Sequence, residues 1–330
     1  MDVLSAPPAA PLDNSAAPLA GVQRQLLGAH LLLLNRLLRR SARHDYRGHE
    51  PESHLERRIA LTLFRVEGGR VSELAFHMGH DVAQVSRALT AMRRAGLVER
   101  GRQREPYRLT PRGRELGGAL DEVAARRDLQ LTAGLDPHQM FELAGLLGNL
   151  LHRAGIIMLD ELAKSREAPR DREEDGEPFS PTSPFEIHSR AQPLVTNLAA
   201  IISRAATASF KRLTGVSSFE WRLLANIAGR PALRFTDLVV HVDSDKAQVS
   251  RTLDALVGGG LIERTRAGAG EPVRLELTER GHRLHDIMRE DALRRNTELV
   301  ADLSDLQRRR VQTYLELLIA NASEMPTGPE

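Results

Sequence analysis

The stretch DVAQVSRALTAMRRAGLVER occupies residues 81–100, and DKAQVSRTLDALVGGGLIER occupies residues 245–264. Twelve of the twenty positions are identical at a constant offset of 164 residues. The flanking sequence repeats as well: LERRIALTLF aligns with FEWRLLANIA at the same offset, and RLTPRGREL matches ELTERGHRL after a shift of four residues. A repeat of this length, roughly 150 residues, is typical of a duplicated domain and not of a solenoid.

The repeat and the composition around it predict four segments. Residues 1–20 are rich in Ala and Pro and lack the basic and apolar regions of a secretory signal, so we expect a disordered tail. Residues 21–164 and 185–323 are the two equivalent domains. Residues 165–184 mix both charges with prolines and contain few apolar side chains, which is the composition of a linker.

Composition narrows the classes of function. The formal net charge is +2, yet only three of the basic residues are lysines, and the planar fork of arginine suits phosphate or guanine. The absence of cysteine excludes disulfides and thiolate zinc sites and is compatible with the cytoplasm. The longest apolar run, residues 29–38, is interrupted by polar residues and is too short to span a bilayer. We therefore expect a cytoplasmic protein without a membrane partner.

Each copy shows the same order of predicted elements. A long helix with apolar periodicity (residues 22–43 and 192–213) is followed by a second helix that begins near Leu55 or Ser218. Two short helices joined by a tight turn come next, then a β-hairpin with a polar tip, a long helix, and a shorter apolar helix (residues 137–162 and 304–321). This pattern predicts a mainly α fold of the α+β type, with tandem winged helix-turn-helix domains.

The second short helix of each copy has capping signals at both ends. Asp81 and Asp245 stand at its predicted N-terminus, where a carboxylate accepts from free backbone N–H groups. Gly96 and Gly260 follow its C-terminus, where a left-handed residue usually ends a helix.

This helix also divides into two faces. Val85, Leu89 and Met92 form a buried stripe, and Gln84 and Arg87 fall on the opposite face. Gln pairs bidentately with adenine and Arg with guanine, at roughly 1–3 kcal/mol of discrimination per pair. We therefore predict DNA contacts from Ala83, Gln84, Ser86, Arg87, Thr90, Arg94, Arg102 and Arg104 in the first copy, and from Lys246, Ala247, Gln248, Ser250, Arg251, Arg264 and Arg266 in the second.

The motifs together resemble the MarR family of bacterial transcription regulators. The resemblance is carried by WRLLANIA (residues 221–228), DLVVHVDSDKAQVSRTLDALVGGGLIER and LELTERG, and by ELAFHMGHDVAQVSRALTAMRRAGLVER with RLTPRG in the first copy. It implies a winged-helix DNA-binding lobe and a helical dimerisation lobe made from the terminal helices. It also implies a palindromic double-stranded DNA operator bound by a two-fold dimer, and repression relieved by a small ligand, often an aromatic acid.

The family's wing typically carries Asp-x-Arg or Asp-Arg-Arg, whereas these wings read QREPYR and GAGEPVR. Arg102, Arg104 and Arg266 are the nearest substitutes for the usual wing arginine. An effector pocket between the DNA lobe and the dimer helices would be bordered by Arg57, Arg58, Trp221 and Arg222, with Trp221 either part of the core or stacked on an aromatic ligand.

Fusion of two copies favours an intramolecular pseudo-dimer with two recognition helices about one turn of DNA apart. A homodimer of tandem chains is the alternative. Residues 81–104 contain six basic and two acidic residues, against four and three in residues 245–268. Since phosphate contacts dominate affinity, we expect the first copy to supply more of it.

Other functions are open at this stage. The chain could be an activator or an architectural protein without a ligand, or an interaction module in which the second copy only supplies dimerisation. His282 and His285 have metal-compatible spacing that the first copy lacks, and His77 and His241 are better explained by packing or phosphate contact. No catalytic constellation is visible, so we expect neither an enzyme nor a cofactor or metal.

Overall fold

The computed structural model describes residues 19, 21–48, 51, 53–102, 105–165, 190–230, 233–242, 244–266 and 273–327. Most of the predicted tail and of the predicted linker lies outside these residues. The described chain is mainly helical, as predicted, with five short strands.

The first half begins with a 3₁₀ turn, Gly21–Gln25, and continues through six helices and two strands. Their bounds are α1 Leu27–Asp45, α2 His54–Val66, α3 Val71–His77, α4 Val82–Arg94, β1 Val98–Glu99, β2 Arg108–Leu109, α5 Pro111–Leu131 and α6 Pro137–Lys164.

The second half has the same helices in the same order, and one additional short strand. Their bounds are α7 Ala191–Thr214, α8 Ser218–Ala228, β3 Leu233–Arg234, α9 Phe235–Val242, α10 Lys246–Gly258, β4 Ile262–Thr265, β5 Arg274–Leu277, α11 Glu279–Leu299 and α12 Asp305–Glu324. Each helix up to α10 starts 164 residues after its counterpart, and α11 and α12 start 168 residues after theirs.

Strand pairing follows the same two offsets. Val98 pairs with Leu109 in the first hairpin, and Ile262 pairs with Leu277 in the second, both antiparallel. The additional strand β3 pairs Leu233 with Leu275, and its counterpart in the first half is an isolated bridge between Gly69 and Tyr107. The four-residue shift therefore falls inside the hairpin loop, where an insertion leaves the ladder intact.

The two halves share one helical core. α1 packs along α12, α7 packs along α6, and α1 and α7 also meet. The first helix of each half thus lies against the last helix of the other half. Leucines from all four helices are buried here, Leu31, Leu147, Leu198 and Leu315 among them, and full burial of each contributes about 1.5–3 kcal/mol.

The first helix of each half crosses to the last helix of the other half, and equivalent side chains hold both crossings at the N-termini of α7 and α1. Asp128 on α5 accepts from the backbone N–H of Gln192 at the start of α7, over 2.8 Å. Asn296 on α11 accepts from the N–H of Leu27 at the start of α1, over 2.9 Å. The first N–H groups of a helix have no partner within the helix, so these contacts satisfy donors that would otherwise be left unpaired.

Each half also has a separate core around its own helix-turn-helix. Ile59, Leu74, Leu89 and other residues of α2–α5 form one cluster, and the equivalent residues of α8–α11 form the other. One prediction about lengths was wrong: α6, with 28 residues, is longer than the 21-residue α5 that precedes it. None of the described helices is long and apolar enough to cross a membrane.

Candidate DNA interface and the adjoining cavity

The predicted recognition helices α4 and α10 bury one face and expose the other. Val85, Leu89 and Met92 are at most 1% exposed, and their counterparts in α10 are buried as well. Of the residues predicted to contact DNA on these helices, most are exposed and the rest are half-buried. The exposed ones are Ala83, Gln84, Ser86, Arg87, Arg94, Lys246, Ala247, Gln248 and Arg251, and the half-buried ones are Thr90 and Ser250.

The capping predictions are confirmed. The Asp81 carboxylate accepts from the N–H of Ala83 over 2.7 Å, and Asp245 accepts from the N–H of Gln248 over 2.9 Å. Gly96 and Gly260 have φ angles of 69° and 67°, the left-handed region that favours glycine after a helix.

The shared Leu-Thr-x-x-Gly motif fastens the hairpin and recognition helix to the next long helix. Thr110 caps α5 and donates its hydroxyl to the carbonyl of Gly96, over 2.7 Å. Thr278 does the same to Gly260 at the same distance. The C-terminal end of each recognition helix is therefore fixed by a side chain that the sequence repeats.

Arginines from the same motif contact the helix end as well. Arg112 Nη1 donates to the carbonyl of Ala95, and Arg280 Nη1 donates to that of Gly259, both over 3.1 Å. A cation at this position also opposes the partial negative charge of the helix C-terminus.

The two hairpins differ in how their arginines are engaged. Arg100 donates to the carbonyl of Glu105 and lies over the ring of Tyr107, 5.2 Å from its centroid. Arg264 forms an ion pair with Asp254 on α10. Arg102 and Arg266 are exposed, and Arg104 lies outside the described residues. One predicted DNA contact of the second half is therefore partly neutralised by its own recognition helix.

A cavity of about 850 Å³ lies between the two helix-turn-helix lobes and the crossed helices. Its wall includes Gln84 and Gln248, so the N-terminal parts of both recognition helices border one cleft. The wall is strongly basic: among the described residues it contains one carboxylate, Asp81, against the arginines Arg36, Arg39, Arg58, Arg204, Arg222 and Arg295. Such a cavity attracts anions.

Three of the four predicted ligand residues line this cavity: Arg58, Trp221 and Arg222. Trp221 stacks on His285, with ring centroids 5.2 Å apart, and meets Phe210 at 5.4 Å, so it is both wall and core. Arg57 does not line it. Its guanidinium lies over the ring of Tyr46 and faces a smaller neighbouring pocket, so the prediction for Arg57 was wrong about this cavity.

In the first-half wall, the Arg58 guanidinium donates hydrogen bonds to neutral acceptors. Arg58 donates to Asn197 Oδ1 over 2.7 Å, to the carbonyl of Met78 and to the ring of His80, all neutral acceptors. Burial, and then the charge of Arg39, lower the pKa of Arg58 to about 10. Burial, followed by Arg58 and Arg39, lowers the pKa of His54 to about 3. An anion entering here would lie near the charged guanidinium groups of Arg58 and Arg39.

Sequence reasoning missed the residues that join one half to the other. Arg36 on α1 donates to the carbonyl of Val242, over 3.0 Å, beside the turn of the second half. Arg204 on α7 donates to the carbonyl of His80 in the turn of the first half, over 2.5 Å. Gly79 in that turn lies so close to Ala200 that a Cβ would come within 2.6 Å of its backbone. No local pattern signals such contacts, because each partner is more than 100 residues away.

The histidines weighed for a metal have other surroundings. His77 is buried beside Phe76 in edge-to-face geometry, and His285 stacks on Trp221. Burial lowers the pKa of His285 despite the nearby Asp286. Over the described ranges, no group of three or more His, Asp or Glu side chains could hold a metal ion.

Comparisons with known proteins agree with part of the sequence interpretation. A model of the MarR family matches residues 213–271, which include α8, the helix-turn-helix and the first strand of the hairpin of the second half. The comparison with curated protein sequences found no match.

Two solved structures are similar at low identity. A MarR/EmrR family transcriptional regulator from Acinetobacter sp. ADP1 is 20% identical over 38% of this chain and 88% of its own, with a TM-score of 0.35. A MarR family regulator from Silicibacter pomeroyi is 21% identical over 35% of this chain and 81% of its own, with a TM-score of 0.31. The family match at residues 213–271 covers the segment that carries the second predicted recognition helix, α10.

Proposed function

We propose that this chain is a DNA-binding transcription regulator whose two recognition helices read the two halves of one pseudo-palindromic operator. The observation that carries the proposal is that α4 and α10 present equivalent exposed Gln and Arg side chains, and that the two glutamines, Gln84 and Gln248, border one cleft. A two-fold operator requires two recognition helices on one side of the molecule that binds it. The family match over residues 213–271 supports the same class of function.

The crossed helices support an intramolecular pseudo-dimer. Each half uses its first helix to cover the last helix of the other half, and Asp128 and Asn296 secure the two crossings in equivalent ways. An isologous dimer interface has this reciprocity. Light scattering at micromolar concentration tests it: we expect 36.6 kDa. A mass of twice this value would instead indicate a homodimer of tandem chains.

The basic cavity supports an anionic effector, such as an aromatic acid, that releases DNA. Six arginines line a space of about 850 Å³, which is ample for a small aromatic molecule. Trp221, the chain's single tryptophan, is in the wall and would report occupancy through its fluorescence.

A gel shift on the DNA upstream of the protein's own coding region tests the proposal as a whole. We expect a shift at low salt and its loss on addition of an effective aromatic acid. Failure to shift any upstream fragment at low salt would overturn the regulator proposal. A shift that no acid abolishes would favour an activator or architectural protein without a ligand.

We further propose that the first half supplies more of the affinity. Arg264 is paired with Asp254 on the second recognition helix, while the equivalent position on the first helix is Thr90. Arg87→Ala should therefore weaken operator binding more than Arg251→Ala in the same assay. Equal losses of operator affinity would show that the two halves contribute equally to DNA binding. No loss from Arg251→Ala would favour a second half that only supplies dimerisation.

A further inference from the structure

His80 stands in the turn between α3 and α4 and is in contact with three other elements. Its Nε2 lies 3.2 Å from Nη1 of Arg58 on α2, and its Nδ1 lies 3.2 Å from Oε1 of Gln84 on α4. Its backbone carbonyl accepts from Arg204 on α7. The ring thus bridges the wall of the basic cavity and a side chain predicted to read bases.

The direction of the hydrogen bonds follows from the donors available. A guanidinium can only donate, so Nε2 of His80 must be the unprotonated acceptor. The neutral ring then carries its hydrogen on Nδ1 and donates it to Oε1 of Gln84. Burial, together with the charges of Arg58, Arg204 and Arg39, lowers the pKa of His80, so the ring is neutral at pH 7.

This arrangement fixes the amide of Gln84. A flipped amide would turn its NH₂ group towards Nδ1–H, which replaces a hydrogen bond with two opposed donors. Arg58 is held in turn by Asn197 Oδ1 on α7 and by the carbonyl of Met78, so its guanidinium is itself positioned. The orientation of Gln84 therefore depends on a series of hydrogen-bonded side chains that extends to Asn197 in the other half of the molecule.

The positions equivalent to His80 and Asn197 hold residues that cannot form this series of hydrogen bonds. Ser244 occupies the position equivalent to His80 and donates to the carbonyl of Val242, over 3.3 Å. Leu33 occupies the position equivalent to Asn197 and offers no acceptor, and Arg222 lies over the ring of Phe219. Gln248 is identical to Gln84 but has a serine in place of the histidine that orients it.

We propose that His80 is a positioning residue that fixes the amide of Gln84 and makes the first recognition helix more selective for its base than the second. Bidentate pairing with adenine requires the amide oxygen and NH₂ in one defined order. A Gln with a rotating amide also accepts other bases, so the half-site read by Gln248 tolerates substitution. This inference rests on the proposed DNA-binding function and goes beyond it by assigning unequal selectivity to identical glutamines.

The test uses the full chain and an operator fragment found by gel shift of the upstream DNA. Fragments that carry each of the four base pairs at every position of both half-sites are titrated by fluorescence anisotropy. The variants are His80→Ser, which installs the residue of the second half, its reciprocal Ser244→His, and His80→Asn, which retains an N–H donor next to Gln84. The melting temperature of each variant is measured in parallel.

We expect the wild-type chain to discriminate at one position of one half-site by about tenfold or more. His80→Ser should reduce that ratio to about twofold, with affinity for the preferred fragment nearly unchanged, and His80→Asn should restore most of it. The inference is overturned if His80→Ser leaves every ratio unchanged, or if it weakens all fragments equally, which would mean a purely structural role in the turn. Absence of binding by the wild-type chain would instead overturn the proposed function.

Discussion

Gly113 and Gly281 are equivalent glycines in the third position of α5 and α11. A Cβ at either would overlap the carbonyl oxygen of the leucine that follows the recognition helix, Leu97 or Leu261. The obstacle is backbone in both cases, so it cannot move aside as a side chain could. The glycine of the repeated motif therefore permits a close approach between the long helix and the start of the hairpin.

We predict that Gly113→Ala and Gly281→Ala each lower the free energy of unfolding by roughly 2–3 kcal/mol, because the overlap must be relieved by a backbone shift. Urea denaturation measures it. Gly145→Ala on α6 is the matched control, since no atom lies within 4 Å of a Cβ there. That change should stabilise the helix by about 1 kcal/mol, and destabilisation by all three variants alike would contradict the explanation.

Asp254 and Thr90 are the clearest single-residue difference between the recognition helices. The Asp254 carboxylate is exposed and pairs with Arg264, whereas the Thr90 hydroxyl donates to the carbonyl of Ser86 within α4. On the face that we propose to bind DNA, a carboxylate repels phosphates and pairs with a cation that could otherwise bind them.

We predict that Asp254→Thr raises operator affinity by about threefold to tenfold at low salt and steepens its salt dependence, because each added phosphate contact changes the slope by about one. Thr90→Asp should do the reverse. Anisotropy titrations at several salt concentrations measure both. Glu324→Gln at the end of α12 removes one negative charge elsewhere, and an equal gain from it would reduce the effect to net charge alone.

At the scale of elements, the two halves solve one packing problem with different residues. A buried arginine on α5 or α11, Arg127 or Arg295, lies over an aromatic ring at equivalent positions. Arg127 is 5.8 Å from the ring of Tyr46, directly after α1, and Arg295 is 4.8 Å from the ring of Phe210 on α7. Arg127 pairs with Asp45 on α1, but Arg295 pairs with Asp291 on its own helix. The counterpart of Asp45 is Ser209, which donates to Asp291 over 2.9 Å.

The carboxylate that pairs with the buried arginine therefore lies on α1 in the first half and on α11 in the second half. A buried arginine without a partner costs several kcal/mol of folding free energy, which explains why each half has a carboxylate beside this arginine. Burial alone would raise the pKa of Asp291, but the charge of Arg295 and hydrogen bonds from Arg294 and Ser209 hold it below its usual value.

We predict that Asp291→Val, which installs the residue of the first half, destabilises the fold by roughly 3–5 kcal/mol because Arg295 loses its partner. Adding Ser209→Asp to this variant rebuilds the arrangement of the first half and should recover more than half of the loss. Denaturant unfolding of the wild type, both single variants and the double variant gives the coupling energy. Additive losses would show that position 209 cannot supply the carboxylate.

At the scale of the whole molecule, the crossing of the halves is reinforced unequally. Glu161 on α6 is fully buried and accepts from Arg212 on α7 and Arg294 on α11, over 2.8 and 2.6 Å. Burial acts to raise the pKa of Glu161, but these two hydrogen bonds hold it below its usual value. Asp121 on α5 accepts from Arg65 on α2 and from Arg190 directly before α7, in a more exposed position. Both clusters therefore link α7 to the first half of the chain.

We predict that the protein loses stability as the pH falls from 7 to 5. Burial is the largest cause that lowers the pKa of His54, His80, His241 and His285, so the folded state binds fewer protons than the unfolded chain below pH 6.5. His54, whose pKa falls to about 3, accounts for at most about 2 kcal/mol over this range.

Thermal unfolding at pH 7.5, 6.0 and 5.0 measures this loss. His54→Gln should flatten the profile, because it removes the buried imidazole whose pKa is lowered. A wild-type melting temperature that is constant from pH 7.5 to 5.0 would contradict the prediction.

The sequence by itself determined the equivalence of the two copies, the order and approximate bounds of the helices, the caps at Asp81 and Asp245, and the buried stripe of each recognition helix. These features depend on residues one to four positions apart, or on a repeat visible by alignment. Only the tertiary structure decided which first helix covers which last helix, that one cavity touches both recognition helices, and that His80 connects Arg58 to Gln84. Such contacts join residues far apart in the chain, and their choice depends on the packing of whole elements, which local periodicity does not encode.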